Sequence, residues 1–404
     1  MKKLASFVLA LLTLCLTAHA DRGTPEFVTE ITSARTVVIR CAGDFVIHDN
    51  LLASAKKAGG GEYDFSGMLS EVGPWLASAD FTFTNVDGVM GTDEFAKRYG
   101  YTGYPSFSTP NSLIYNLKDA GVDLLTLANN HALDYWYNGL ISTVTAAEEA
   151  GMPTVGGYRT YTEKITPRII TINDIRFGFL NYTDNLNQMD KRSALDKEAL
   201  EYGVDFLERA NVRADVKRLK DAGAEVIVCY MHWGIEYRTT PCKSQLSNAQ
   251  MLADAGVDVI IGGGPHMVQK AEYVYTKDEN GQSKRVLCLY SLGNFLTDQR
   301  AVHRDAGIIF DFTVSRDEDG KITISNPTYR TTWVWKRQSG STFKYTVVFS
   351  SGDASRPSGM SDKDYKRMRE SAQQTVERMS EGCAVYAGAP DTSEPMVIVP
   401  GRGK

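Results

Sequence analysis

The sequence has no excess of positive charge and, after its first twenty residues, no long apolar run. Its 404 residues carry 44 Lys and Arg against 49 Asp and Glu, which gives a net charge of −5. This balance, without a basic stripe, argues against nucleic acid or an anionic membrane as the main partner. No later segment has the ~18 consecutive apolar residues that a membrane-spanning helix requires. We therefore expect no transmembrane helix in the mature chain.

The first twenty residues have the features of a secretory signal. Two lysines precede an apolar run over residues 4–16, and Ala18-His19-Ala20 is the small-x-small pattern after which signal peptidases cut. We expect residues 1–20 to be removed on export, which leaves a periplasmic or secreted chain. Loss of the two lysines changes its net charge from −5 to −7. Cys15 leaves a lipid anchor open, although Leu12-Thr13-Leu14 lacks the small residues expected before a lipidated cysteine.

Cysteine is scarce, with six in the chain. Cys41, Cys229 and Cys288 lie in apolar runs of strand character, which predicts small buried hydrophobic side chains. Cys242 and Cys383 lie in polar surroundings. They are therefore the pair that could form a disulfide in an oxidising compartment.

Short apolar runs alternate with stretches of helical spacing. This alternation predicts βαβ units and a mainly parallel sheet, and the continuous apolar character of the runs indicates a sheet covered on both faces. The predicted strands are Thr36–Cys41, Phe81–Thr84, Asp123–Leu127, Arg176–Leu180, Glu225–Tyr230 and Asp258–Ile261.

One short pattern, Asp-Ala-Gly followed by an apolar and an acidic residue, occurs at 119–123, 221–225 and 254–258. Each copy predicts a helix that ends at a left-handed glycine, followed by a strand. The three strands are followed by His131, His232 and His266. In one parallel sheet these strands would point the same way, so we expect the histidines at one edge. Open α/β sheets bind ligands at that edge.

Other polar residues also follow predicted strands. Asp44 and Asp87 follow the first two, which favours a shared site over separate structural roles. Asn130 and Asp134 are either site residues or caps of a tight turn. His48 is a weaker candidate, and His303 is excluded because it lies in a predicted loop.

The segment after His266 has antiparallel character. Residues 273–290 and 307–335 predict two hairpins with turns at 278–281 and 317–320, and 343–349 predicts a further strand. Residues 350–362 have linker composition, 362–379 have charged helical periodicity, and the last ~20 residues are typical of a weakly ordered tail. We therefore expect one α/β domain over 21–349, with a core at 35–310 and an antiparallel extension at 305–349, followed by 350–404 as linker, helix and tail.

Six motifs resemble, in order and spacing, the CapA family of capsule and poly-γ-glutamate biosynthesis proteins. The resemblance covers roughly residues 35–310. It implies a relative of the calcineurin-like metallophosphoesterases, with an α/β fold built as a sandwich of two mixed β-sheets flanked by helices. The motifs are Gly43-Asp44, Asn85-Val-Asp-Gly88, LANNHALDYWYNG from Leu127, HWGIEY from His232 with Pro241 and Gln245 behind it, GGGPHMVQ from Gly262 and YSLGNF from Tyr290.

The resemblance also implies metal ligands. Asp87 stands where the family usually has glutamate, and Gly263 and Gly264 stand where many relatives have a further histidine. A two-metal site would therefore be short of ligands, which leaves one metal, or none, open. The residues that match metal ligands are Asp44, Asp87, Asn130, His232 and His266.

Further residues are candidates for catalysis or substrate contact. His131 resembles the residue that protonates a leaving group, and Glu236 is a candidate acid or base or a partner of an imidazole. Arg238 could pair with a substrate carboxylate, although a surface role is the alternative. Asn129 and Asn294 are the other candidates for substrate contact.

These features predict an extracytoplasmic protein of capsule or poly-γ-glutamate synthesis. One hypothesis is a metal-assisted hydrolase, or a descendant of one, that acts on an anionic polymer with amide or phosphoester links. A divalent metal such as Mn, Zn or Fe would polarise the scissile group and lower the pKa of a bound water toward ~7. The alternative is a non-catalytic subunit that binds or guides the polymer beside membrane-bound capsule synthesis proteins.

Overall fold

The computed structural model describes residues 35–189, 197–352, 354–382 and 386–387. The strands are β1 (Arg35–Val46), β2 (Phe81–Val86), β3 (Val89–Gly91), β4 (Ser108–Pro110), β5 (Leu124–Thr126), β6 (Thr154–Val155), β7 (Ile169–Ile172), β8 (Ile175–Thr183), β9 (Val226–His232), β10 (Val259–Gly263), β11 (Val268–Lys277), β12 (Ser283–Leu292), β13 (Asn294–Thr297), β14 (Ala306–Arg316), β15 (Ile322–Ser339), β16 (Thr342–Phe349) and β17 (Tyr386–Ala387). The helices are α1 (Asp49–Ala58), α2 (Ser66–Leu69), α3 (Gly73–Leu76), α4 (Asp93–Tyr99), α5 (Ser112–Asp119), α6 (Trp136–Glu149), α7 (Tyr161–Ile165), α8 (Lys197–Tyr202), α9 (Val212–Asp221), α10 (Lys243–Ala255) and α11 (Asp362–Met379).

Most of the strands form two mixed sheets. The first has the order β16-β15-β14-β1-β2-β5-β6, with β13 beside β1 and β17 beside β15. The second has the order β11-β12-β10-β9-β8-β7, and β3 and β4 pair separately. Parallel pairs such as β1 with β2 occur beside antiparallel pairs such as β1 with β14. The expected sandwich of two mixed sheets flanked by helices is confirmed.

Three apolar layers hold the sandwich together. The layer between the sheets contains Phe83 from the first sheet and Phe177 and Tyr230 from the second. α1, α5 and α6 cover the outer face of the first sheet, and α9 and α10 cover the second. Each fully buried large apolar side chain stabilises the fold by about 1.5–3 kcal/mol. Burial on both faces explains why the strands are continuously apolar.

All six predicted strands, both hairpins and the helix over 362–379 are present. The single parallel sheet expected from the residue pattern is wrong, because β5 belongs to the first sheet while β9 and β10 belong to the second. The strand before His131 is therefore in a different sheet from the strands before His232 and His266. Burial on both faces cannot distinguish one covered sheet from two sheets packed together, which is why the pattern was insufficient.

The repeated Asp-Ala-Gly pattern connects each helix to its following strand. Gly121, Gly223 and Gly256 have left-handed φ angles of +94°, +94° and +105°. The acid that closes each pattern accepts a hydrogen bond from a backbone N–H of the adjacent strand, at 2.8, 3.0 and 2.7 Å. The pattern thus ends a helix and fixes the register of the next strand. The bonded pairs are Asp123 with Thr82, Glu225 with Arg176, and Asp258 with Ile227.

The four cysteines that the structure describes are buried as small apolar side chains. Cys41, Cys229 and Cys288 are fully buried, as expected. Cys242 is also buried and forms no disulfide with another described cysteine, while Cys383 lies outside the described residues. The expected signal segment, residues 1–20, also lies outside them. Among the helices of the described part, none has both the length and the apolar character needed to cross a lipid bilayer.

Candidate functional site

A cavity of about 640 Å³ contains several of the predicted residues from both sheets. His131, which follows β5, His266, which follows β10, and Glu236 all line this cavity. His48 is also part of the lining, so the structure brings this weaker candidate into the site. Burial lowers the pKa of His48, and its Nδ1 lies 3.0 Å from the carbonyl of Val46. The remaining lining residues include Phe107, Asp134, Asn187, Tyr237 and Gln299.

Five of the lining residues have a left-handed backbone although none is glycine. Such a conformation costs about 1–3 kcal/mol per residue and persists only where the surrounding structure enforces it. Strain of this kind clusters at functional sites, which supports this cavity as the candidate site. The residues and their φ angles are Tyr135 (58°), Trp136 (64°), Asn187 (49°), Tyr237 (64°) and His266 (58°).

A second cavity, of about 690 Å³, contains none of the predicted site residues. Its buried Asp205 is paired with Tyr158 and Lys164, at 2.8 and 3.0 Å. The chemistry therefore points to the cavity with the histidines.

Asp134 orients His131. His131 Nδ1 donates to Asp134 Oδ2 at 2.8 Å, and the same oxygen accepts the backbone N–H of Phe107 at 2.6 Å. The ring of Phe107 packs edge-on against the imidazole, with 4.8 Å between the two ring centres. Burial opposes the charged imidazole, but the hydrogen bond to Asp134 and the charges of Asp87, Asp134 and Glu236 outweigh it and raise the pKa of His131. Asp134 is thus a partner of His131 and more than a cap of the turn.

Asn294 holds His266 in place. The carbonyl of Asn294 lies 2.9 Å from His266 Nδ1. Its amide nitrogen donates to the backbone carbonyl of Arg304 at 2.8 Å and to Gln299 Oε1 at 3.3 Å. The Asn294 side chain is fully buried, and both its carbonyl and its amide nitrogen have protein partners. It therefore positions His266 and has no free group for the expected substrate contact.

Protein groups surround Asp44. Its Oδ1 accepts hydrogen bonds from the Tyr230 hydroxyl at 2.7 Å and from Asn85 at 2.8 Å, and its Oδ2 accepts the backbone N–H of Gly264 at 3.0 Å. Burial and the charge of Asp44 raise the pKa of Tyr230 well above its ordinary value, so the hydroxyl stays protonated and donates. A Cβ at Gly263 would lie 2.0 Å from that hydroxyl. The glycine therefore leaves the space that Tyr230 occupies.

Asp87 and Asn130, unlike Asp44, have buried side-chain oxygens without hydrogen-bond partners. Asp87 is 2% exposed and Asn130 is 5% exposed. Both carboxyl oxygens of Asp87 and the Oδ1 of Asn130 are buried without a hydrogen-bond partner. An unpaired buried polar atom is costly, so these oxygens call for a cation, a proton or a water. Asn129, by contrast, is fully engaged with Asn85, Val86 and the backbone of His131.

The remaining predicted residues are placed differently. His232 is buried at the end of β9, with Nδ1 3.5 Å from Asn85 Nδ2, and is not among the cavity-lining residues. Glu236 is exposed and lines the cavity, whereas Arg238 is exposed outside it. The structure thus brings His131, His266 and Glu236 to one cavity, but not His232 or Arg238.

The predicted ligands do not assemble a two-metal centre. Across the ranges that the structure describes, no group of three or more His, Cys, Asp or Glu is arranged to hold a metal ion. The physical reason is visible at Asp44, whose oxygens already accept protein hydrogen bonds. The donor set therefore does not fit the metal pair that the resemblance implies.

Sequence reasoning missed Asn85, Tyr230 and Asn187. Asn85 is the first residue of the Asn85-Val-Asp-Gly88 motif and donates a hydrogen bond to Asp44. Its polar side chain at the end of an apolar strand could have indicated a role in the site. Tyr230 ends an apolar run and is indistinguishable from a core residue by sequence. Its role depends on a contact with Asp44, 186 positions away.

Comparison with known proteins agrees with the motifs. The family model described as "Bacterial capsule synthesis protein PGA_cap" matches residues 38–299. The chain is 28% identical to the capsule biosynthesis protein CapA of Bacillus anthracis over 57% of this chain and 54% of that protein. It is also 28% identical to the PGA biosynthesis protein CapA of Bacillus subtilis, over 52% and 51%. The chain thus spans about half the length of these curated relatives.

A solved structure, that of the calcineurin-like phosphoesterase YfkN from Bacillus subtilis, superposes with a TM-score of 0.42 at 16% identity. The match covers 85% of this chain and 97% of that one. Similarity at this level does not extend to activity. The family match is stronger, because residues 38–299 are well over half of the chain. The protein therefore belongs to the PGA_cap family of bacterial capsule synthesis proteins, to which the CapA motifs in its sequence pointed.

Proposed function

We propose that this protein is an extracytoplasmic component of capsule or poly-γ-glutamate synthesis and acts on an anionic polymer as a hydrolase, or as the descendant of one. The observation that carries the proposal is the buried His131–Asp134 pair in a cavity lined by strained residues. An imidazole oriented by a carboxyl group is the usual arrangement for acid–base catalysis. The family and the names of its relatives support the polymer as substrate.

In the proposed reaction, His131 and Glu236 transfer protons. Because Nδ1 of His131 donates to Asp134, Nε2 is the nitrogen available to a ligand. Water attacks the scissile amide carbonyl or phosphoester, and Glu236 accepts the proton that the water loses. His131 gives the Nε2 proton to the leaving nitrogen or oxygen. Glu236 suits this role because it is exposed and lines the same cavity.

The proposal assigns any divalent cation, Mn, Zn or Fe, to Asp87 and Asn130. Their side-chain oxygens are buried and have no hydrogen-bond partner. A bound cation would polarise a group of the polymer. The proton transfers to and from His131 and Glu236 do not depend on it.

A second candidate function is a non-catalytic subunit that binds or guides the polymer beside membrane-bound capsule synthesis proteins. The specific observation in its favour is the engagement of Asp44 by Tyr230, Asn85 and Gly264, which removes a ligand from the implied metal pair. In this function, the cavity would hold the polymer without cleaving it.

The test uses the chain from residue 21 onward and poly-γ-glutamate of defined length. Polymer length is followed by size-exclusion chromatography and binding by calorimetry, with the metal content of each variant measured by elemental analysis. The variants are His131→Gln, Glu236→Gln and Asp87→Asn. Glu279→Gln is the matched control for Glu236→Gln, because Glu279 is exposed and is not among the cavity-lining residues.

The hydrolase function predicts that polymer shortens and that His131→Gln slows shortening at least ~100-fold while binding persists. Saturable binding without shortening, weakened by the cavity variants, would support the accessory function. If the polymer is neither shortened nor bound, both proposed functions are overturned. Metal that is present in the wild type and lost in Asp87→Asn supports the cation assignment, and metal retained in Asp87→Asn contradicts it.

A further inference from the structure

The segment 298–305, which we call the wall segment, joins β13 to β14 and forms part of the cavity. Gln299 lines the cavity, and the guanidinium of Arg304 lies 3.3 Å from the ring centre of Tyr237, another lining residue. The wall segment forms no strand, although the carbonyl of Asp305 at its end accepts the backbone N–H of Val334 of β15, and Val302 in its middle is 69% exposed. Other contacts must therefore hold it in place.

The wall segment determines how His266 is presented. The amide nitrogen of Asn294 donates to the carbonyl of Arg304 and to Gln299, both in the wall segment, which turns its carbonyl toward His266. His266 Nδ1 is then the donor, and Nε2 is the ring nitrogen left for a ligand. Movement of the wall segment would release Asn294 and with it the orientation of His266.

Asp305 anchors the end of the wall segment. It is 1% exposed and lies between two arginines, with Arg300 Nη2 at 3.2 Å and Arg367 Nη2 at 2.7 Å. Arg367 also donates to the backbone carbonyl of Arg300 at 2.5 Å. Both contacts are ion pairs, since no hydrogen bond reaches Asp305 Oδ2, and Arg367 is partly exposed.

Arg367 belongs to α11, which lies outside the family-matched region of 38–299. Polar residues dominate α11, but one face of it is buried at helical spacing, through Met368, Ala372, Thr375 and Met379. Met368 packs against Trp333 and Trp335 of β15. The docked helix thus presents Arg367 to Asp305 from a fixed position.

We propose that α11 is a positioning element of the site, which holds the wall segment through Arg367 and Asp305 and thereby fixes Asn294 and the ring of His266. Arg367 is a positioning residue, since it contacts none of the groups proposed to react. The inference concerns the geometry of His266, so it holds whether the cavity cleaves the polymer or only binds it.

The test compares Arg367→Gln with Arg369→Gln in the chain from residue 21 onward. Arg369 is the matched control, because it lies on the same helix and donates instead to the carbonyls of Ser350 and Ser351 at 3.2 and 2.7 Å. Amide hydrogen exchange is measured over 298–305, and the ring signals of His266 are followed by nitrogen-15 NMR. We expect R367Q to speed exchange in the wall segment at least tenfold and to shift the His266 signals, with R369Q close to wild type in both.

Asp305→Asn tests the same contact from the other side and should reproduce the effect of R367Q. Unchanged exchange and unchanged His266 signals in R367Q or D305N would overturn the proposal. Equal effects of R367Q and R369Q would also overturn it, because they would indicate general loss of α11 docking. Arg367 is 42% exposed, so loss of its charge should leave the core intact.

Discussion

Asp44 stands where the resemblance implies a metal ligand, but protein groups hydrogen-bond to its carboxylate. It follows the first predicted strand, as the implied metal ligand should, yet its oxygens accept hydrogen bonds from Tyr230, Asn85 and Gly264. The Tyr230 hydroxyl fits because residue 263 has no side chain. Hydrogen bonds to charged groups contribute about 1.5–3 kcal/mol each. Asp44 thus ties the two sheets together, from β1 to β9 and to the turn after β10.

This geometry predicts coupling between Gly263 and Tyr230. Gly263→Ala places a Cβ 2.0 Å from the Tyr230 hydroxyl, so it should destabilise the wild type by about 1–3 kcal/mol through overpacking. In a Tyr230→Phe background the clashing oxygen is gone, so the same substitution should cost less. Urea unfolding of the four proteins in a double-mutant cycle measures the difference, and we expect a coupling of at least ~0.5 kcal/mol.

The control for this cycle is Gly67→Ala, because a Cβ at Gly67 meets nothing within 4 Å. Its effect should be the same in both backgrounds. Additive costs for Gly263→Ala and Tyr230→Phe would mean that the hydroxyl does not occupy the space at residue 263.

The secondary-structure elements were predictable because their signals are local. An Asp-Ala-Gly pattern ends a helix at a left-handed glycine whatever the rest of the fold does, and all three copies behave this way. The sheet to which each central strand belongs was not predictable from the residue pattern, since strands such as β2, β9 and β10 are buried on both faces. The Tyr230–Asp44 contact was not predictable either, because it forms only where the two sheets pack together.

The three glycines of the pattern should differ in their tolerance of alanine. Gly121 and Gly223 share a φ of +94°, so alanine at either should cost about 1–2 kcal/mol for the left-handed backbone. At Gly121 the added Cβ would also lie 2.3 Å from the Cα of Ala77, whereas at Gly223 it meets only the flexible end of Arg176 at 3.1 Å. Gly121→Ala should therefore be the more destabilising by about 1–3 kcal/mol.

Gly223→Ala is the matched control, because it carries the backbone cost without the collision. Thermal or urea unfolding of the two variants gives the comparison. Equal destabilisation would show that α3 moves away from α5 at little cost, contrary to the close contact between Gly121 and Ala77.

On the scale of the whole molecule, the site exists only because the two sheets are packed together. His131 comes from the first sheet and His266 from the second, and the apolar layer between the sheets keeps them at one cavity. α11 reinforces this arrangement, since it contacts β15 of the first sheet and β11 of the second. We therefore expect the sandwich and α11 to behave as one cooperative unit.

Cooperative unfolding can be tested with one probe in each sheet. Trp233 follows β9 and Trp333 lies in β15, and both are buried, so 5-fluorotryptophan labelling gives each sheet a fluorine NMR signal. We expect both signals to change at the same urea concentration. Phe177→Ala in the layer between the sheets should lower the free energy of unfolding by about 3–5 kcal/mol and lower the urea midpoints of both signals together.

Val302→Ala is the control, because Val302 is exposed and its substitution should leave both midpoints unchanged. Separate midpoints, or a shift of Trp233 alone in Phe177→Ala, would mean that the sheets fold independently. In that case the distance between His131 and His266 would depend on docking of two separate units instead of on one continuous core.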